Sequence, residues 1–222
     1  MTKEIIPTIL VKSFSDAKEK IRQVENYVNW VQLDIMDGIF VNNETWPYTD
    51  GGNIIDLKKL KPKAKIEVHL MVNRPEDVIK DWIGIADRII FHFESKIKNR
   101  ELGIRELIKK IHKRKKEIGM AINPETHLAV AMPFLKDLDL VLFLAVQPGW
   151  GGQEFKEWTL DKIKFLRKVW PNGNIEIDGG VNNENIGKIA EAGANLICAG
   201  TYIFRSQNIE QAINNLKNNI NL

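Results

Sequence analysis

The sequence predicts an α/β protein, a single-domain (β/α)8 or TIM barrel over residues 1–222, on three observations. Eight short apolar runs rich in Ile, Val and Leu alternate with eight amphipathic segments, the signature of a parallel sheet covered by helices. The count of eight, with roughly 28 residues per unit, favours closure into a barrel over an open doubly wound sheet. No Gly-x-Gly-x-x-Gly follows the first run to support a dinucleotide fold, and no linker or composition shift marks a second domain.

In chain order, strands are predicted at 5–10, 27–36, 66–72, 88–93, 119–122, 138–146, 174–178 and 194–198. Helical segments are predicted at 15–25, 54–60, 75–85, 99–115, 126–135, 156–170, 184–192 and 209–220. Ser13 or Ser15 marks the first helix start, Pro75-Glu76-Asp77 the third, and Asn182 or Asn183 the start near Glu184. Residues two apart on a strand share a face. In the second strand this groups Gln32, Asp34 and Met36; in the third, Glu67, His69 and Met71; in the seventh, Glu176 and Asp178. The alternating Leu33, Ile35, Val68, Leu70, Ile175 and Ile177 suit the helix interface. Ionisable groups on three strands therefore face one interior, near strand C-terminal ends, where barrel active sites lie.

Composition narrows the function classes. The chain has 32 Lys+Arg against 29 Asp+Glu, a formal charge of +3 with mixed signs. No nucleic-acid partner is expected, since counterion-driven binding needs positive charge concentrated on one face. The basic run at 109–116 reads as a solvated helix end whose cations complement the dipole. One cysteine, Cys198, excludes an intrachain disulfide and reads as a small buried hydrophobe; a cytoplasmic setting is expected. No stretch approaches 18 uncharged apolar residues, so no membrane partner is expected.

Asp34 and Asp178 are the central pair. Strands two and seven are three steps apart around the ring, so their carboxylates approach one space from different sides. Such a pair suits proton removal on one face of a carbon and return on the other. His69 is the one histidine predicted on an inward face beside acidic neighbours, and with the two aspartates it offers a mixed N/O metal site. His92 reads as a supporting or core residue beside Glu94, and His112 and His127 as surface residues. Asp37, before Gly38, reads as a turn residue.

Three glycine clusters follow the last three strands: Gly149-Trp150-Gly151-Gly152, Gly179-Gly180 and Gly200-Thr201. Glycine lets backbone N–H groups converge on an anion, and barrels often hold phosphate with the loops after strands seven and eight. Phosphate binding is expected there, with Trp150 near the ligand and Trp30, Trp82, Trp158 and Trp170 packing.

The chain resembles the ribulose-phosphate 3-epimerase family over nearly its whole length. The resemblance is carried by Leu33-Asp34-Ile35-Met36-Asp37-Gly38-Ile39-Phe40-Val41, Val68-His69-Leu70-Met71-Val72, Phe91-His92-Phe93-Glu94 and Asn123-Pro124-Glu125-Thr126. It continues through Pro148-Gly149-Trp150-Gly151-Gly152-Gln153-Glu154-Phe155, Ile177-Asp178-Gly179-Gly180-Val181 and Ala192-Gly193-Ala194. It implies an enzyme that interconverts D-ribulose 5-phosphate and D-xylulose 5-phosphate through a metal-stabilised enediolate. Asp34 and Asp178 would be both acid/base pair and metal ligands, with His69 a third ligand. Thr8, Met36 and Met71 would line the substrate site. Gly149, Gly151, Gly152, Gly179, Gly180, Gly200 and Thr201 would hold the phosphate.

The departures are specific. Gln32 stands where the family has a fourth metal-ligating histidine, and a neutral amide is a weaker ligand. This leaves the divalent metal (Zn, Fe, Mn or Co) and its occupancy open. Thr8 replaces a serine, Leu144 a third methionine and Trp150 a phenylalanine. The segment Val41-Asn42-Asn43-Glu44-Thr45-Trp46-Pro47 also departs from the family pattern. Another ketose phosphate, such as a six-carbon one, and a non-catalytic sugar-phosphate-binding barrel therefore stay open as alternatives. So does a homo-oligomer, since helix faces that pack on a neighbour read like those that pack on a barrel.

Overall fold

The computed structural model describes residues 2–49 and 51–220. Eight parallel strands pair in sequence order and the last pairs with the first, closing a barrel. They are β1 (Glu4–Ile9), β2 (Trp30–Met36), β3 (Lys65–Met71), β4 (Arg88–His92), β5 (Glu117–Ile122), β6 (Leu140–Leu144), β7 (Asn174–Asp178) and β8 (Leu196–Ala199). The helices are α1 (Phe14–Val24), α2 (Ile55–Leu60), α3 (Pro75–Trp82), α4 (Arg100–His112), α5 (Thr159–Val169), α6 (Ile186–Ala192), α7 (Thr201–Phe204) and α8 (Ile209–Ile220).

Local chemistry accounts for several boundaries. The Ser13 hydroxyl accepts the Asp16 N–H at 3.1 Å and caps α1. Pro75 opens α3, where its missing N–H would have no partner anyway. Gly193 ends α6 at φ 113°, a left-handed position that favours glycine. The start expected near Asn182 and Asn183 moves to Ile186, because the Asn182 side chain accepts the N–H groups of Glu184 and Asn185 in a turn. The helix expected over 126–135 is instead two 3-10 turns, Leu128–Val130 and Met132–Phe134. Pro133 has no N–H for an α-helical bond and disfavours helix at Met132.

The hydrophobic residues divide into two layers. Between barrel and helices pack Leu33, Ile35, Val68, Leu70, Ile175 and Ile177, the alternating set expected there. Truncating one such Ile or Leu to Ala costs about 2–5 kcal/mol. Inside the barrel pack Ile6, Trp30, Ile90, Ala121, Leu140, Leu142, Leu144, Leu196 and Cys198. Register then fixes the polar layer: Asp34 lies beside His69, Met36 beside Met71, and Leu144 beside Asp178. The cations at the end of α4 are exposed, as expected of a solvated face. Among the described residues no helix is long and apolar enough to cross a membrane.

Candidate active site

The two aspartates meet through one amide. Gln32 Nε2 donates to Asp34 Oδ1 at 3.0 Å and to Asp178 Oδ2 at 3.1 Å. Carboxylates on both sides require donors, which orients the amide with nitrogen toward them and oxygen toward Cys198 Sγ, 3.6 Å away. His69 Nδ1 lies 3.1 Å from Asp34 Oδ1, and the His69 ring is fully buried. Burial, and then repulsion from Asp34, push Asp178 up to about 7. The end of β2 is tied down by Thr45, whose hydroxyl donates to the Asp34 carbonyl at 2.7 Å and accepts the Met36 N–H at 2.8 Å.

A cavity of about 560 Å³ opens above this pair at the C-terminal ends of the strands. Thr8, Asp34, Met36, His69, Met71 and Asp178 line it, together with Gly149, Gly151, Gly152, Gly179, Gly180, Gly200 and Thr201. Every site residue expected from the sequence is therefore on one wall or another, except Gln32, which lies beneath. Three of these glycines, Gly179, Gly180 and Gly200, have no room for a side chain. A Cβ on Gly200 would stand 2.6 Å from Thr8 Oγ1, and one on Gly180 would stand 2.6 Å from the Phe155 nitrogen, with φ already +69°. The glycine loop is held to the β2 loop by Asn43, whose side-chain nitrogen donates to the Gly149 carbonyl at 2.7 Å.

Sequence reasoning missed several of these partners. Lys20 and Arg205 line the cavity, and neither sits in a motif that would mark it. Asn43 and Thr45 fall in the segment that departs from the family pattern, where polar side chains after a strand were the available signal. Cys198 is buried as expected, but its surroundings are polar: Sγ lies 3.2 Å from Glu176 Oε1. Trp158 does not pack inside but is 46% exposed, with Lys162 Nζ over its ring at 5.2 Å. Trp150 is exposed at the cavity rim, while Trp30 and Trp82 are buried.

Below the aspartates lies a buried charge cluster. Arg88 donates to Glu67 Oε2 at 2.6 Å and to Glu117 Oε2 at 2.7 Å, with Glu176 Oε2 at 3.8 Å. The Trp30 ring covers the guanidinium at 3.9 Å. Burial and the nearby Glu67 raise Glu176 well above the usual carboxylate range. Glu67 Oε1 and Glu176 Oε2 have no hydrogen-bond partner. Glu67, Glu176 and Cys198 converge closely enough to hold a metal, but the buried guanidinium of Arg88 already offsets part of their charge.

His92 is fully buried, with Nε2 2.8 Å from His69 Nε2 and Nδ1 3.1 Å from Glu94 Oε2. Burial holds its ring down at about 4, whereas bonds from His92, Thr126 and Asn123 outweigh desolvation and hold Glu94 at about 2. His112 and His127 are on the surface, as expected. Asp37 is the turn residue expected, its Oδ1 accepting the N–H groups of Ile39 and Phe40 at 2.9 and 2.8 Å.

The metal-ligating reading fits the donor set. Ligand atoms of Asp34, His69 and Asp178 all lie within 4.8 Å of one another, and two carboxylates with an imidazole suit a divalent cation. Gln32 is not arranged as the fourth ligand, because its nitrogen rather than its oxygen faces this space.

The chain is similar to known proteins in both sequence and fold. A relative from Schizosaccharomyces pombe named ribulose-phosphate 3-epimerase is 34% identical over 98% of this chain and 93% of its own. One of the same name from Synechocystis is 35% identical over 98% and 95%. The solved 3-keto-L-gulonate-6-phosphate decarboxylase from Vibrio cholerae superposes with a TM-score of 0.77 at 15% identity, covering 100% of this chain and 98% of that one. That likeness speaks to the fold alone. With residues 4–204 matched by the sequence model of the ribulose-phosphate 3 epimerase family, and with these relatives, the chain belongs to that family.

Proposed function

We propose that this chain is a sugar-phosphate 3-epimerase that interconverts D-ribulose 5-phosphate and D-xylulose 5-phosphate, with Asp34 and Asp178 as its two proton-transfer groups. The observation that carries the reading is the approach of these two carboxylates from β2 and β7 to a single amide nitrogen, at 3.0 and 3.1 Å, on the floor of the glycine-lined cavity. One aspartate takes the C3 proton, and the C3–H electron pair passes into an enediolate across C2 and C3. The other delivers a proton to the opposite face of C3, which inverts that centre. Without a cation, burial and repulsion from Asp34 raise the Asp178 carboxyl above its ordinary range, the direction that suits a group that must both take and give a proton.

Backbone N–H groups of the three glycine loops are suited to the phosphate, and Arg205 adds a cation on that side of the cavity. Thr8, Met36 and Met71 form walls that orient the carbon chain and limit water. Asp34, His69 and Asp178 would hold a divalent cation (Zn, Fe, Mn or Co), which would supply positive charge to the enediolate as it forms. The reading includes one barrel domain over residues 1–222 in the cytoplasm, where Cys198 stays a buried free thiol.

Turnover of D-ribulose 5-phosphate and of a six-carbon ketose phosphate, at matched concentrations with a panel of divalent metals, tests this. Faster epimerisation of the five-carbon substrate supports the proposal; preference for the six-carbon one overturns the substrate assignment. The position of Gln32 favours a second reading, a barrel that binds sugar phosphate without turnover. Tight binding with no epimerisation, in both the native chain and Gln32→His, would select it.

A further inference from the structure

We propose that Glu94 and His92 are positioning residues that pin a hydrogen on His69 Nε2, so that Nδ1 is the atom through which His69 reaches a cation between Asp34 and Asp178. This rests on reading Asp34, His69 and Asp178 as a cation-holding set. A buried chain of contacts fixes where each hydrogen lies.

It starts at Glu94. Its Oε1 accepts the Asn123 N–H at 2.9 Å and the Thr126 hydroxyl, and its Oε2 lies 3.1 Å from His92 Nδ1. An ionised carboxylate only accepts, so His92 Nδ1 carries the hydrogen of that contact. The neutral His92 ring then has a bare Nε2. No water-exposed alternative is open to it, since the ring is fully buried and Phe40 lies against it with centroids 4.8 Å apart.

His92 Nε2 stands 2.8 Å from His69 Nε2. Neither two lone pairs nor two N–H groups fit at that distance, so one hydrogen lies between them and it belongs to His69. The remaining nitrogen of His69 faces Asp34 Oδ1 at 3.1 Å, a gap that a proton or a metal cation fills. In either case Nε2 keeps its hydrogen and Nδ1 is the cation-facing atom. Outer partners of this kind are generally worth about 10–100-fold in metal affinity.

Glu94→Gln tests the polarity. Asn123 and Thr126 demand an acceptor at the Oε1 position, so the new amide nitrogen turns to His92 and donates to its Nδ1. The hydrogen of His92 moves to Nε2, that of His69 is forced to Nδ1, and the cation-facing atom is blocked.

The experiment uses the full chain with ¹⁵N-labelled histidine, metal-free and with zinc(II), read by long-range ¹H–¹⁵N correlation. Only four histidines are present, and replacing His112 and His127 with Gln simplifies assignment. Zinc affinity is measured in parallel by chelator competition. The expected result is Nε2–H on His69 in the native chain and, in Glu94→Gln, a zinc affinity lower by about 10–100-fold with cooperative unfolding retained. His92→Gln, whose amide oxygen accepts from His69, should keep an affinity nearer native than His92→Leu. A native His69 with a bare Nε2, or unchanged zinc affinity in Glu94→Gln, overturns the proposal. If Glu94→Gln does not fold, the native hydrogen position decides alone. A native chain that binds no zinc overturns the cation reading, while the position of the His69 hydrogen still decides the relay.

Discussion

The amide nitrogen of Gln32 stands 3.1 Å from the carboxylate of Asp178, 146 residues further along the chain. The same nitrogen reaches Asp34 at 3.0 Å, so a neutral side chain mediates between the two groups assigned to proton transfer. Its two N–H bonds offset part of the repulsion between the carboxylates without bringing a charge. It occupies the strand position where the family carries an imidazole, and the two carboxylates turn its oxygen toward Cys198 Sγ.

Gln32→His should therefore tighten divalent-metal binding, because imidazole is a better ligand than an amide. The expected gain is roughly tenfold, ~1.4 kcal/mol, read by chelator competition with zinc, manganese and cobalt. Equal or weaker binding by the variant would show that position 32 does not face the cation.

Asp34→Asn and Asp178→Asn should each lower kcat by about 10²–10⁴-fold, the usual worth of a positioned acid or base. Phosphate affinity should change little, since the glycine loops are built on β6, β7 and β8. Steady-state kinetics with competitive inhibition by inorganic phosphate separates the two effects. Comparable turnover in either variant would remove that aspartate from the chemistry.

Gly200→Ala places a methyl group 2.6 Å from Thr8 Oγ1 and 3.0 Å from the Thr8 carbonyl. Overpacking of this kind costs about 1–3 kcal/mol, and the displaced loop should raise KM more than it lowers kcat. Adding Thr8→Ala removes Oγ1 but not the carbonyl, so part of the stability should return. Urea unfolding of the two single variants and the double one measures that coupling; strict additivity would show that the two residues do not meet.

The His92 and Glu94 contacts predict acid sensitivity. Glu94 is lowered from its ordinary 4.5 to about 2, so its contribution is present above pH 4.5 and lost as pH falls through about 2. His92 is lowered from 6.5 to about 4. Between those values the unfolded chain takes a proton the folded chain refuses, and stability again falls with pH. Asp178, raised from 3.8 to about 7, acts in the opposite sense: its contribution is present below 3.8 and lost as pH rises through 7. Comparing native chain with Glu94→Gln reads the Glu94 titration together with the change it imposes on the His92 ring. Their stability difference should shrink by up to about 3 kcal/mol between pH 5 and pH 2. A pH-independent difference would contradict the assignment.

Much of the site was legible because strand parity is a strict rule. Asp34, His69 and Asp178 are grouped by period-two counting, and the register delivers Asp34 and His69 as neighbours. The glycine loops were legible because positive φ and close approach leave few alternatives to glycine. Contacts that cross the barrel were not. Cys198 meets Gln32 across 166 residues, and nothing local to either residue encodes that meeting. The 126–135 segment was misread because its apolar spacing outweighed Pro133. The exposure of Trp158 was missed because an aromatic residue before a helix reads the same whether it packs inward or lies under a lysine.

Removal and return of the C3 proton of a ketose phosphate is the chemistry proposed for this cavity. Its most direct measurement is incorporation of deuterium at C3 of D-ribulose 5-phosphate in D2O, with the metal-reconstituted chain, followed by NMR. Incorporation at C3 together with formation of D-xylulose 5-phosphate is expected, both lost in Asp34→Asn and Asp178→Asn. A folded, metal-loaded protein that leaves the C3 proton unexchanged would contradict it.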